Sequence, residues 1–156
     1  MHATRRELLA GAGALCGATF LALRPSQATP DTLRAAIKKV VGNAEVGKGK
    51  ISMDIPALVE NGNVVPLSIA VDSPMTPANY VKAIHIFNEK NPQPNVIDIK
   101  LGPRAGKAVV TTRIRLSTAQ KVVAIAEMSD GSFWSESVDV IVTLAACLEG
   151  TLGETQ

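Results

Sequence analysis

Between residues 65 and 71 the chain alternates strictly: Val65, Leu67, Ile69 and Val71 are apolar, and Pro66, Ser68 and Ala70 lie between them. A period of two places one set of side chains on a single face, so this segment is predicted to be a half-buried strand entered through the Asn61-Gly62 turn. Pro66 has no amide hydrogen to give a ladder and predicts an edge position or a bulge. Ile97, Ile99 and Leu101 alternate with Asp98 and Lys100, and Val110, Thr112, Ile114 and Leu116 with Thr111, Arg113 and Arg115. Segments 51–55, 80–87, 121–127 and 133–144 complete the set. Asn91-Pro92-Gln93-Pro94 and Met128-Ser129-Asp130-Gly131 supply turns, the second of them a hairpin signal.

One segment follows a different period. Leu33, Ile37, Val40 and Val41 fall on one side of a helix over 31–41. Thr29 is a suitable N-cap, Pro30 suits the first turn, Asp31 meets the positive helix end, and Gly42-Asn43 stops it. About seven short strands with closely spaced turns predict an all-β fold, an immunoglobulin-like β-sandwich with one short N-terminal helix. Neither an internal repeat nor a low-complexity tract interrupts 29–144, which reads as one domain.

The first 28 residues have another character. Arg5-Arg6 stand directly before a run of apolar and small residues, and Ser26-Gln27-Ala28 offers a small-x-small cleavage pattern before Thr29. This is the layout of a twin-arginine export signal. A membrane anchor is the competing reading, but the run is short for a bilayer and rich in small residues. A lipid attached at Cys16 is disfavoured by the bulk of Leu15 just before it. The expectation is a cleaved signal over 1–28 and an exported, periplasmic domain.

Cleavage changes the charge. The whole chain carries a net charge of +2, but the signal holds three arginines and one glutamate, leaving 13 basic and 13 acidic residues. A neutral mature surface gives no electrostatic case for nucleic acid and leaves close approach to other proteins unopposed.

Few residues offer chemistry. His85 is the single histidine after cleavage and sits in a predicted strand beside Val81, Ala83 and Phe87, where a half-buried structural role outweighs that of base or ligand. One histidine and one cysteine do not make a zinc site. No glycine-rich phosphate loop or other cofactor motif is present, so no cofactor is expected. Arg113 and Arg115 share a strand face that suits an anion or simple solvation. Trp134, next to Phe133, is expected in the core. Exposed apolar residues within 80–87 are the candidate partner surface.

Cys147 remains. It is the one cysteine of the mature chain, in a compartment where lone thiols are unusual, and it follows the last strand on a terminal arm over 145–156. Local features leave two readings level: a reactive or intermolecularly paired thiol, and a small buried apolar residue.

Several stretches together resemble one family. Glu60-Asn61-Gly62 before Val64-Val65-Pro66, Tyr80-Val81 with Ile84, Asn91-Pro92, Thr112-Arg113-Ile114-Arg115-Leu116, Val122 to Glu127, Ser129-Asp130-Gly131, and Val140-Ile141-Val142-Thr143 leading into a cysteine are similar to the Y subunit of the SoxYZ sulfur-oxidation carrier. The resemblance implies a carrier and not an enzyme: an immunoglobulin-like subunit paired with a smaller Z subunit. Cys147 would be the covalent attachment site for sulfur intermediates. A haem enzyme would couple thiosulfate to it and a hydrolase would release sulfate.

The arm departs from the family pattern. The family sequence Gly-Gly-Cys-Gly-Gly is here Ala145-Ala146-Cys147-Leu148-Glu149, with Gly150 as the first glycine to give the arm flexibility. Added side chains restrict the backbone, and Glu149 disfavours a nearby thiolate and anionic adducts. The alternative from another class is a periplasmic binding or scaffold sandwich whose cysteine is idle or forms an intermolecular disulfide. A thiol enzyme ranks third, since only His85 is available as a base.

Overall fold

The computed structural model describes residues 30–144. Helix α1 (Pro30–Val41) is followed by nine strands: β1 (Val46–Lys48), β2 (Ile51–Asp54), β3 (Leu58–Asn61), β4 (Val65–Val71), β5 (Val81–Asn88), β6 (Asn95–Lys100), β7 (Val109–Ile114), β8 (Gln120–Met128) and β9 (Phe133–Leu144). They form two sheets. The larger runs β1–β9–β8–β5–β6, with β3 also on β9, and the smaller runs β2–β4–β7. This is an immunoglobulin-like sandwich.

The inward faces of both sheets make one core. Val65, Leu67 and Ile69 from β4 meet Ile84 and Ile86 from β5 and Val122 and Ala124 from β8, all nearly or wholly inaccessible. Full burial of a valine, leucine or isoleucine contributes about 1.5–3 kcal/mol, so this alternation is the main determinant of the fold. A second cluster forms on the other face of the large sheet, where Leu33 of α1 packs on Phe87, Val123 and Ile125. The helix ends as its sequence predicts: Gly42 takes φ +62° and donates to the Lys38 carbonyl at 2.8 Å. The N-cap assigned to Thr29 lies outside the described residues.

Two strands escape the periodicity. β1 and β3 have three and four residues, too few for alternation to register, and each pairs in parallel with β9. Among the described residues there are therefore nine strands, seven of which were read from the sequence. Pro66 requires a second correction, because β4 is the central strand of its sheet. The proline is tolerated because β2 ends at Asp54 opposite Ser68, so the flank of β4 beside Pro66 has no β2 partner. The Asn61-Gly62 turn carries the chain from the large sheet to the small one. Residues 128–132 form the β8–β9 hairpin, with Gly131 at φ +83° and the Asp130 carboxylate accepting from the Ser132 amide and hydroxyl at 2.9 and 2.7 Å.

Candidate functional site

β9 leads into the cysteine-bearing segment, and its partners change along its length. β8 pairs with it from Glu127 opposite Phe133 to Gln120 opposite Val140. Beyond Val140, β3 holds it in parallel, with Leu58 opposite Ile141, Val59 opposite Val142 and Asn61 opposite Leu144. The Ile141 amide donates to the Ala57 carbonyl at 2.8 Å, and the Thr143 hydroxyl to the Glu60 carbonyl at 3.2 Å. The chain is thus fixed to the sheet up to Leu144, three residues before Cys147. Cys147 and Gly150 lie outside the described residues.

β3 decides which faces are apolar there. Val59 and Val142 turn into the core, while their neighbours Leu58 and Ile141 are 61% and 58% exposed. The expectation of an exposed apolar partner surface within 80–87 is not met: β5 lies between β8 and β6, and Val81, Ala83, Ile84, Ile86 and Phe87 are all buried. A run that reads as an apolar surface in sequence is an interior strand covered on both faces.

The same end of the sandwich carries a polar network. Gln120, buried, accepts from the Lys90 amide at 2.7 Å and donates to the Asn91 side chain at 2.8 Å and the Thr118 carbonyl at 3.1 Å. Asn91 accepts from the Ser117 amide at 3.0 Å and donates to the Arg115 carbonyl at 2.9 Å. The Leu116 amide donates to Gly62, which ties this loop to the turn after β3. In the sequence Asn91 reads as part of a turn and of a family-like stretch, and Gln120 gives no signal, because the network depends on loops distant in sequence. A cleft of about 320 Å³ opens beside it, lined by Asn88, Pro92, Val96 and Arg115 among others.

The remaining candidates are dispersed. Arg113 lines a separate cleft with Pro66, Thr111 and Thr112, so the two arginines do not converge on one anion. His85 is half-buried as expected, its Nδ1 2.6 Å from Asp98 and its Nε2 3.9 Å from Glu127, which also binds Lys82 at 2.5 Å. The His85 hydrogen bond is the main reason the Asp98 carboxyl titrates below its ordinary value, with Asn95 adding to it. Trp134 is half-buried against the core, its indole facing Gly47 and Lys50. Among the described residues no group of three or more histidine, cysteine or acidic side chains is placed to hold a metal ion, and no helix is long and apolar enough to cross a membrane.

The SoxY family, described as sulfur oxidation protein SoxY, matches residues 37–147, a span that closes on Cys147 itself. The chain belongs to the SoxY family. Its fold is similar to that of the sulfur carrier protein SoxY from Chlorobium limicola f thiosulfatophilum, with TM-score 0.62 and 26% identity over 74% of this chain and all of that one. A superoxide reductase (neelaredoxin) from Ignicoccus hospitalis shares the fold at 17% identity and TM-score 0.54, covering 74% of this chain and 94% of its own. None of the curated proteins matches the chain.

Proposed function

We propose that this SoxY-family chain is a sulfur carrier subunit, exported to the periplasm through the twin-arginine signal over 1–28 and carrying sulfur intermediates on Cys147. The observation that carries the reading is the family match running through to Cys147, downstream of a strand secured almost to that residue. A rigid sandwich with a reactive group on a short terminal segment suits a subunit that is handed between enzymes. The chemistry of a thiol is adequate to the task, since a thiolate forms and releases sulfur–sulfur bonds.

In the loading step the Cys147 thiolate and the outer sulfur of thiosulfate form a sulfur–sulfur bond, and two electrons pass to the haem enzyme. In the release step, water attacks the terminal sulfonate sulfur. Its bond to the neighbouring sulfur breaks, sulfate leaves with two protons released, and a persulfide stays on Cys147. A Z-like subunit completes the carrier as a heterodimer.

The test is Cys147→Ser in the purified carrier, incubated with thiosulfate and the coupling enzyme. The reading requires loading to vanish while thermal unfolding is unchanged. Loading that persists on the serine variant would contradict it and leave the scaffold reading, in which the cysteine is idle or disulfide-bonded.

A further inference from the structure

We infer that the exposed apolar pair Leu58–Ile141 is the surface on which the rim of the sulfate-releasing hydrolase that processes Cys147 docks. This rests on the carrier reading and names the part of the folded domain that makes it work. The argument begins with the length of the tether. Leu144 is still in register with Asn61 on β3, and Cys147 is the third residue after it. Three fully extended residues span at most ~11 Å. An enzyme that takes the Cys147 sulfur into a cleft must therefore bring its rim down onto the end of β9 and the strand beside it.

Three residues back from Leu144 along the same ladder, within the footprint of such a rim, the outward face is apolar. Leu58 and Ile141 are direct cross-strand partners in a parallel ladder, so both side chains stand on the same outward face as neighbours. They are 61% and 58% exposed, and Val64 is 56% exposed. The two other large hydrophobic residues exposed among the described ones, Ile97 and Val109, lie on β6 and β7, away from β3 and β9. Polar residues border the pair: Glu60 on β3, Thr143 on β9, and Asp139, which is bound to Lys121. An apolar centre with a polar border is the composition of a protein contact. The partner that fits is an enzyme with an apolar lip around a narrow thiol-accepting cleft, and the contact is small enough for repeated release.

The experiment uses the full carrier, loaded at Cys147, and the sulfate-releasing hydrolase of the same system. Leu58→Lys with Ile141→Lys places cations on exposed strand positions, where lysine is well tolerated. Val109→Lys on the other sheet is the control. The inference predicts that the double variant raises KM for loaded carrier about tenfold or more, with kcat, unfolding temperature and the alkylation rate of Cys147 by iodoacetamide unchanged and the control silent. An unaltered KM overturns it. Loss of the heterodimer in native mass measurements also overturns it, by assigning the pair to the Z-like subunit. If wild-type carrier takes no sulfur at Cys147, the carrier reading itself fails, which is a separate result.

Discussion

Gln120 and Val140 are the last partners in the β8–β9 ladder, and the four residues of β9 beyond them have β3 as their strand partner. Gln120 also closes the polar network around Asn91, so one buried side chain links the end of the ladder to the loops beside it. Gln120→Ala leaves the Lys90 amide without its acceptor and Asn91 without one of its donors. Burying unpaired polar groups costs about 1–3 kcal/mol, and the variant should lose stability by that amount in chemical denaturation. A change within experimental error would mean that water replaces the network without cost.

Gly47 is opposite Trp134 in the β1–β9 ladder, and a Cβ there would stand 2.9 Å from two carbons of the indole ring. Gly47→Ala must push the ring aside or shift β1. Overpacking of this kind costs about 1–3 kcal/mol. Because Trp134 is the single tryptophan, its fluorescence in the native state should change along with the unfolding midpoint. An alanine variant with unaltered emission and stability would refute the contact.

Asp98 contributes a defined pH dependence. The His85 hydrogen bond is the main cause holding its carboxyl below the ordinary 3.8, while partial burial opposes the shift. A lowered folded-state pKa gives stability that is fully present above the unfolded value and is lost as pH falls through the folded value. Wild type should therefore exceed Asp98→Asn in stability above about pH 4. The margin should shrink below that. A margin that stays constant to lower pH would show that the carboxylate charge is not involved.

The resemblance drawn from the sequence sets Ala145, Ala146, Leu148 and Glu149 where a SoxY-type arm has glycines, and on the proposed carrier function these side chains restrict it. Replacing Ala145, Ala146, Leu148 and Glu149 together by glycine should raise kcat/KM for enzymes acting on the loaded carrier several-fold, because glycine widens the backbone conformations open to the segment. Removing Glu149 also takes away a negative charge two residues along the chain from Cys147 and should speed alkylation of Cys147 at neutral pH. Equal rates for both proteins would show that the partner clefts accept the substituted arm as it is.

Much of the sandwich was legible because its long strands alternate. Val65 to Val71 reads directly as one buried and one outward face, and the helix was equally plain from Leu33, Ile37, Val40 and Val41. The strands that escaped, β1 and β3, are too short to display a period and owe their existence to β9. That omission mattered. Without β3, neither the hold on Leu144 nor the exposed Leu58–Ile141 pair is visible, and the apolar run of β5 stands in wrongly as a partner surface. Pro66 misled for a related reason, since it reports on local pairing and β2 stops short of it. Cys147 stands out in the sequence by its type and position, but it lies outside the described residues, and its role as attachment site belongs to the proposed function.

The most direct measurement is the intact mass of the mature protein, purified from cells supplied with thiosulfate, before and after treatment with reductant. The account predicts added masses of sulfur or sulfonate that map to Cys147, disappear on reduction, and are absent from Cys147→Ser. An unmodified mass with a freely alkylated Cys147 would contradict the carrier function.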